Sequence, residues 1–296
     1  MTIDIMMPFY GDPSQFREAV ESVRSQSDPD WRLVVIDDSY PDPRPGEWLQ
    51  ALRDTRIHYV RNETNLGVNG NFAKSLSLVR ADYFVLMGCD DLMETGYVAG
   101  LRSAIATYAG ASYFQPGVTV IDDDSAEAWP LADRVKGWYS PRVAGPVVLR
   151  GERLAVSLLR GNWTYFPAIC WKADVVRRFG FSAQYEIVLD LALQLEIVLA
   201  GGSMVLLPER LFRYRRHANS VSSYSAADGT RFDEERMFFM GIAARLRQLG
   251  WRRAARVAVA HWTSRLNAVT KVPATVANRD RAGMRALRHH ILSGWR

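Results

Sequence analysis

Tyr83-Phe84-Val85-Leu86-Met87-Gly88-Cys89-Asp90-Asp91 is an apolar run that stops on two acids, and Leu33-Val34-Val35-Ile36-Asp37-Asp38-Ser39 repeats the pattern earlier in the chain. Short continuous apolar runs bounded by turn residues read as strands buried on both faces. Two more precede Pro8 and Arg61: Ile3-Asp4-Ile5-Met6-Met7 and Ile57-His58-Tyr59-Val60. Helical signals separate them. Asp12-Pro13 supplies an N-cap and a first-turn proline. Phe16, Ala19, Val20 and Val23 then share one helical face, and residues 72–79 read as a further helix. Alternating strands and helices predict a parallel sheet with right-handed crossovers. In such sheets ligands bind beyond the carboxyl ends of the strands, where both acid pairs sit.

Adjacent carboxylates at a strand end repel each other, and a divalent cation offsets that cost. Hard cations such as Mg²⁺ and Mn²⁺ take oxygen ligands and bridge to phosphates. Other owners of acid-tipped strands fit less well. A receiver domain is much shorter and carries a lone Asp on its third strand, where this chain has Val60-Arg61-Asn62. A Rossmann dehydrogenase opens with Gly-x-Gly-x-x-Gly, where this chain has Pro8-Phe9-Tyr10-Gly11-Asp12-Pro13.

Around this core the chain divides into three parts. Residues 1–121 form the regular α/β half, and residues 122–228 are less ordered in pattern. There, 129–146 reads as loop, 151–160 as helix, and 188–200 as a helix ended by Gly201-Gly202. Met204-Val205-Leu206-Leu207 reads as a strand stopped by Pro208. Residues 229–296 read as helical throughout. The 296 residues are 48% hydrophobic and 23% charged, a globular composition with volume for a large core. No apolar run reaches the length of a membrane span. The start Met1-Thr2-Ile3-Asp4 has no signal-peptide pattern. Cys89 and Cys170 form no spacing motif, so a cytoplasmic protein without disulfides is expected.

Six segments, in order over roughly residues 3–221, resemble family 2 glycosyltransferases of the GT-A fold. They are Met7-Pro8-Phe9-Tyr10 with the helix through Glu21-Ser22-Val23; Val34 to Ser39; Val60-Arg61-Asn62 with Asn65-Leu66-Gly67 and Asn71-Phe72; Cys89-Asp90-Asp91; Leu189-Asp190-Leu191; and Tyr214-Arg215-Arg216-His217. The resemblance implies a GT-A-like nucleotide-binding domain with a mostly parallel central sheet flanked by helices, followed by a helical C-terminal extension. It implies an inverting enzyme that moves a sugar from a UDP- or dTDP-sugar to a hydroxyl of a glycan, glycolipid or other cell-envelope or secondary-metabolite acceptor.

The same resemblance assigns roles. Pro8, Phe9, Tyr10, Asp37, Asp38, Asn65 and Asn71 belong to the nucleotide site. Asp90 binds ribose or helps hold the metal. Asp91 ligates Mg²⁺ or Mn²⁺, and His217 stands at a metal or diphosphate contact. Asp190 occupies the position of the catalytic base. Two positions depart from the family pattern: Gly88 replaces the first acid of an Asp-x-Asp motif, and Leu189 replaces the acid before the base. Read without the resemblance, Asp190 is first of all a cap for the helix that follows it. Arg213, Arg215 and Arg216 suit either phosphate or solvent. Trp163 and Tyr165 suit either an acceptor sugar or the core.

Charge is unevenly placed. Residues 229–296 hold 14 Arg and Lys against 4 Asp and Glu, while residues 1–228 hold 23 against 28. Met237, Phe238, Ile242, Leu246 and Leu249 form an apolar stripe with arginines around and after it. That tail suits the body, a homodimer partner or a peripheral contact with the inner face of a membrane; no nucleic-acid role is expected. Two other functions share the pattern: a catalytically silent nucleotide-binding relative and a sugar-phosphate nucleotidyltransferase. The second normally opens with a Gly-rich basic phosphate loop, absent near Pro8.

Overall fold

The computed structural model describes residues 1–182, 184–216, 230–277 and 280–292. Strands β1 (Ile3–Phe9), β2 (Trp31–Asp37), β3 (Ile57–Arg61) and β4 (Tyr83–Leu86) alternate with helices α1 (Pro13–Arg24), α2 (Arg44–Ala51) and α3 (Gly67–Leu78). The strands pair in parallel in the order β3-β2-β1-β4. Their side chains alternate between two cores. Ile3, Ile5, Met7 and Phe9 pack with Phe16 and Val20 of α1, and Met6 faces the opposite core. Asp12 caps α1 through its side chain, as its sequence position predicts.

The second half comprises β5 (Leu92–Met93), α4 (Tyr97–Thr107), β6 (Tyr113–Ile121), α5 (Leu131–Tyr139), β7 (Val147–Arg150), α6 (Gly151–Arg160), β8 (Cys170–Lys172), α7 (Ala173–Phe179), α8 (Leu189–Leu199) and β9 (Ser203–Arg215). Among the described residues the sheet continues β4-β8-β6-β9-β5, with β7 also on β9. Here it is mixed: β8 runs antiparallel to β4 and β6, while β6 and β9 pair in parallel.

Two local expectations change. The strand expected to stop at Pro208 runs on to Arg215. Its register against β6 slips between Gln115 and Gly117, so an irregularity absorbs the N–H that proline lacks. Gly117 allows the close approach: a Cβ there would meet Glu209 O at 3.0 Å. The segment 129–146, expected as loop, contains α5. This helix buries Asp133 and leaves Leu131 70% and Trp138 71% exposed. With Leu131 and Trp138 facing outward, no continuous inward stripe announces it.

The tail forms α9 (Thr230–Gln248), α10 (Arg252–Ala260), α11 (Trp262–Ala277) and α12 (Arg281–Leu292). Phe238, Ile242 and Leu246 of α9 enter the core lined by α6 and α8, as do Ala254, Ala255 and Ala258 of α10. Each large side chain buried this way contributes roughly 1.5–3 kcal/mol. Of the expected stripe, Met237 and Leu249 stay 45% and 52% exposed. Glu152 of α6 accepts from Arg253 N and Ala254 N, capping α10 from the body. Arg245 pairs with Glu196 of α8. Both cysteines are free thiols. Among the described residues no helix is long and apolar enough to cross a membrane.

Candidate active site

Beyond β4 the chain turns through Gly88 to Asp90 and Asp91. Asp91 is buried, and its Oδ1 accepts a 2.8 Å hydrogen bond from Arg215 N. Arg215 is an internal tie. Its Nε donates to Asp90 O, its Nη1 to Asp122 O and Asp123 O, and its Nη2 to Glu18 Oε2 and Ser125 Oγ. The guanidinium is therefore spent on holding the β4 turn, the 122–125 turn and α1 together, and neither solvent nor phosphate claims it. Gly88 shapes the site. A Cβ built on it would lie 2.6 Å from Asp90 Oδ1 and 2.6 Å from Asp91 Oδ2. Two carboxylate oxygens thus converge over the open face of a glycine. Burial, and then the neighbouring Asp90, hold the Asp91 carboxyl well above the usual carboxylate range. Such a cradle of hard oxygens fits a divalent cation, which removes that repulsion. Among the described residues no group of three His, Cys, Asp or Glu side chains gathers to hold a metal. His217, the other expected ligand, lies outside the described residues.

The β2 edge is built differently. Asp37 is 1% exposed and accepts from Tyr40 N, Tyr59 Oη and Arg61 Nη1. Asp38, 3% exposed, accepts from Asn62 Nδ2 and Leu66 N at Oδ1 and from Gly67 N at Oδ2. Gly67 sits at φ 71, a left-handed conformation that glycine adopts without steric cost, where its N–H reaches Asp38. A carboxylate offers about four acceptor positions, so Asp38 keeps about one for a ligand N–H. Phe9 and Asn71 correct the expectation. Phe9 is fully buried against Phe16 and Tyr40. Asn71 is buried too, donating to Ile36 O and accepting from Asn62. Both position the edge and offer no surface to a nucleotide. Tyr10 is 55% exposed and edge-on to Tyr40, Pro8 is half-buried, and Asn65 is exposed with its Oδ1 accepting from Gly67 N.

Asp190 lies in the first turn of α8, yet it is not the cap. Val188 occupies the N-cap position, and Glu234 of α9 accepts from the N–H groups of Glu186, Ile187 and Val188 just ahead of the helix. Asp190 Oδ1 accepts from Leu191 N within the first turn, and its Oδ2 accepts a 2.7 Å bond from Asn162 Nδ2. Burial raises the Asp190 carboxyl, opposed by the Asn162 hydrogen bond and the nearby Lys136. Burial likewise lowers Lys136 to about 8, with Arg216 adding to the shift and Asp190 and Asp133 opposing it. Lys136 Nζ donates to Thr164 O, and Arg216 grips Asp133 through Nε and Nη2. Tyr165 Oη also bonds Asp133, and its ring packs against Tyr214. Arg215, bonded to Asp91 through its N–H, and Arg216, paired with Asp133, are consecutive at the end of β9, so one polar seam runs from the acid pair to Asp133.

Trp163 corrects another expectation. It is 1% exposed in the core, its Nε1 bonded to Ser157, and it has no ring face for a sugar. Trp129, just before α5, and Trp138, within it, are 60% and 71% exposed. Asp133, Lys136 and Asn162 escape a reading of the sequence because each acts through a partner far along the chain. The one local signal, Pro130 opening a helix, is masked by the outward-facing apolar positions of α5.

Residues 4–148 match the family model described as Glycosyl transferase family 2. Over 95 residues the chain is 34% identical to an uncharacterised protein of Sinorhizobium fredii, covering 31% of this chain and 10% of that one. Over 93 residues it is 25% identical to an uncharacterised glycosyltransferase of Methanocaldococcus jannaschii, covering 30% and 32%. These matches span from a tenth to about a third of the relatives' own lengths. Among solved structures, S. aureus TarS 1–349 superposes with a TM-score of 0.68 at 11% identity, covering 99% of this chain and 81% of that one. The same fragment in complex with UDP-GlcNAc gives 0.64 at 11% identity, covering 99% and 91%.

Proposed function

Residues 4–148 belong to glycosyl transferase family 2, and on that footing we propose that the chain is an inverting glycosyltransferase that moves a sugar from a nucleotide-diphosphate donor to an acceptor hydroxyl. The fold is the GT-A arrangement, and a solved structure of that fold is a complex with UDP-GlcNAc. A UDP- or dTDP-sugar is the donor class we assign. The observation that carries the reading is the pair of carboxylate oxygens converging over Gly88 at the carboxyl edge of a parallel sheet.

In this reading Tyr10 and Tyr40 flank the base, the remaining acceptor position of Asp38 takes a base N–H, and Asp90 meets the ribose. Asp90 and Asp91 would hold Mg²⁺ or Mn²⁺, which when bound supplies charge neutralisation for the departing diphosphate. Gly88 stands in place of a further acid because a side chain there would enter the cradle. Asp190 takes the acceptor hydroxyl proton as general base, its carboxylate aimed by Asn162. A single base opposite the leaving group gives one displacement and an inverted anomer. Tyr165 offers the acceptor side an aromatic ring. The acceptor is a glycan, a lipid-linked glycan or another hydroxyl compound.

Asp190→Asn tests the assignment. The variant keeps size and one acceptor oxygen for Asn162 or Leu191 N, so it should melt close to wild type and bind nucleotide diphosphate with unchanged affinity. It should transfer sugar at least about 10²-fold more slowly, the usual scale of base catalysis. In wild type, turnover should fall on the acid side at a pH above the usual carboxylate range, because burial raises Asp190. Normal transfer by the variant would remove Asp190 from the mechanism. Nucleotide binding without turnover of any UDP- or dTDP-sugar by wild type would leave the silent-binder reading.

A further inference from the structure

Two adjoining cavities open where α10 and α11 meet the body, of 650 and 490 Å³, sharing Arg256, Ala260 and Trp262. Their walls carry Arg160, Arg247, Arg252, Arg253, Arg256 and Arg265, and among the described residues no acidic one lines either cavity. The sequence holds no Asp or Glu from Arg236 to Arg279. Arg160, Arg247, Arg252, Arg253 and Arg256 all lie at exposed positions, and Arg245, also exposed, pairs with Glu196.

A second feature begins in the same place. Trp262, Leu266, Val269, Pro273 and Val276 follow each other at intervals of four and three along α11 and so share one helical face. The first, second, third and last are 54%, 59%, 48% and 60% exposed, and Pro273 is exposed as well. The opposite face, with Ser264 and Ala268, is buried. Helix α11 contains Arg265 and Lys271 and no acid. A continuous apolar stripe left in water marks a contact surface.

The chemistry of that surface selects its occupant. A second copy docked through the stripe brings arginine against arginine around Trp262, and like charges at an interface are unfavourable. A free phosphate satisfies the arginines and leaves the stripe exposed. A bilayer carrying anionic lipids satisfies both: headgroup phosphates enter the arginine-lined cavities while the stripe sinks to the acyl boundary. Trp262, which belongs to both features, suits the headgroup level where indoles concentrate. We propose that α10 and α11 form a docking face for an anionic phospholipid membrane. The proposal is independent of the reaction assigned to the site.

Co-sedimentation of the full chain with vesicles tests it. The chain should pellet with vesicles of equal parts phosphatidylglycerol and phosphatidylcholine, be released by high salt, and stay in solution with phosphatidylcholine alone. At about 1 kcal/mol per cation near the surface, the double variant Arg252→Glu, Arg256→Glu should lower partitioning at least about tenfold. The variant Leu266→Ser, Val269→Ser should lower it as well. All four positions are exposed, so both variants should keep the wild-type melting temperature. The proposal is overturned if wild type ignores the anionic vesicles, if it binds both vesicle types equally, or if charge reversal leaves binding unchanged. A dimer in light scattering that Leu266→Ser dissolves, with no vesicle binding, overturns it in favour of a second copy.

Discussion

At the end of β2, Asp37 and Asp38 each accept three hydrogen bonds from within the chain. At the end of β4, Asp91 accepts from Arg215 N, and one oxygen each from Asp90 and Asp91 converges over Gly88. In sequence the two places are alike: a buried apolar strand and then two acids. They differ in what surrounds them. The β2 pair meets a loop rich in donors, Asn62, Leu66 and Gly67, and becomes the staple of that loop. The β4 pair meets a glycine over which one oxygen of each carboxylate converges, and an arginine that ties backbone. The same sequence pattern thus serves as a staple at β2 and, in the reading proposed above, as a cation cradle at β4.

Exchange of a single oxygen gives the sharpest test of that contrast. Asp91→Asn keeps the shape and the Arg215 contact but removes the charge. Sugar transfer should fall on the order of 10³-fold, since charge neutralisation by a bound metal is worth several kcal/mol. Mn²⁺ binding followed by calorimetry should vanish while the melting temperature holds or rises. Retained Mn²⁺ binding would show that the β4 pair is as structural as the β2 pair.

Asp38→Ala addresses the other edge. It removes three hydrogen bonds, of which the one from Asn62 is buried, while Gly67 N keeps Asn65 Oδ1. The urea midpoint should drop by an amount worth about 1–3 kcal/mol. Asp91→Asn, which keeps an oxygen for Arg215 N, should cost far less stability and more Mn²⁺ affinity. If the two variants unfold together, the division between staple and cradle is wrong.

The smallest effect belongs to Gly88→Ala. Its methyl would sit where the two oxygens converge and push them apart, so Mn²⁺ affinity should weaken by about tenfold, or ~1.4 kcal/mol. Unchanged affinity would mean the cation binds elsewhere on the edge.

The parallel half of the sheet was legible because its signals are local. Buried strands announce themselves as apolar runs, and Asp12-Pro13 announces a helix start whatever surrounds it. The same holds for the acid pairs as a pattern and for α8, whose end Gly201 marks. The order of strands from β8 onward was not legible, because an antiparallel insertion between β4 and β6 depends on where distant segments find a free edge. Helix α5 hid behind an inverted pattern, its polar face turned in towards Arg216 and Thr164. Trp163 and Phe9 looked available because an aromatic side chain carries no mark of which side will be covered. Sequence by itself determined the strands, the helix starts and which residues have charge to offer. Tertiary structure alone decided which charges are spent on the fold and which remain for a ligand, because the donors that claim Asp37, Asp38 and Asp133 come from elements remote along the chain.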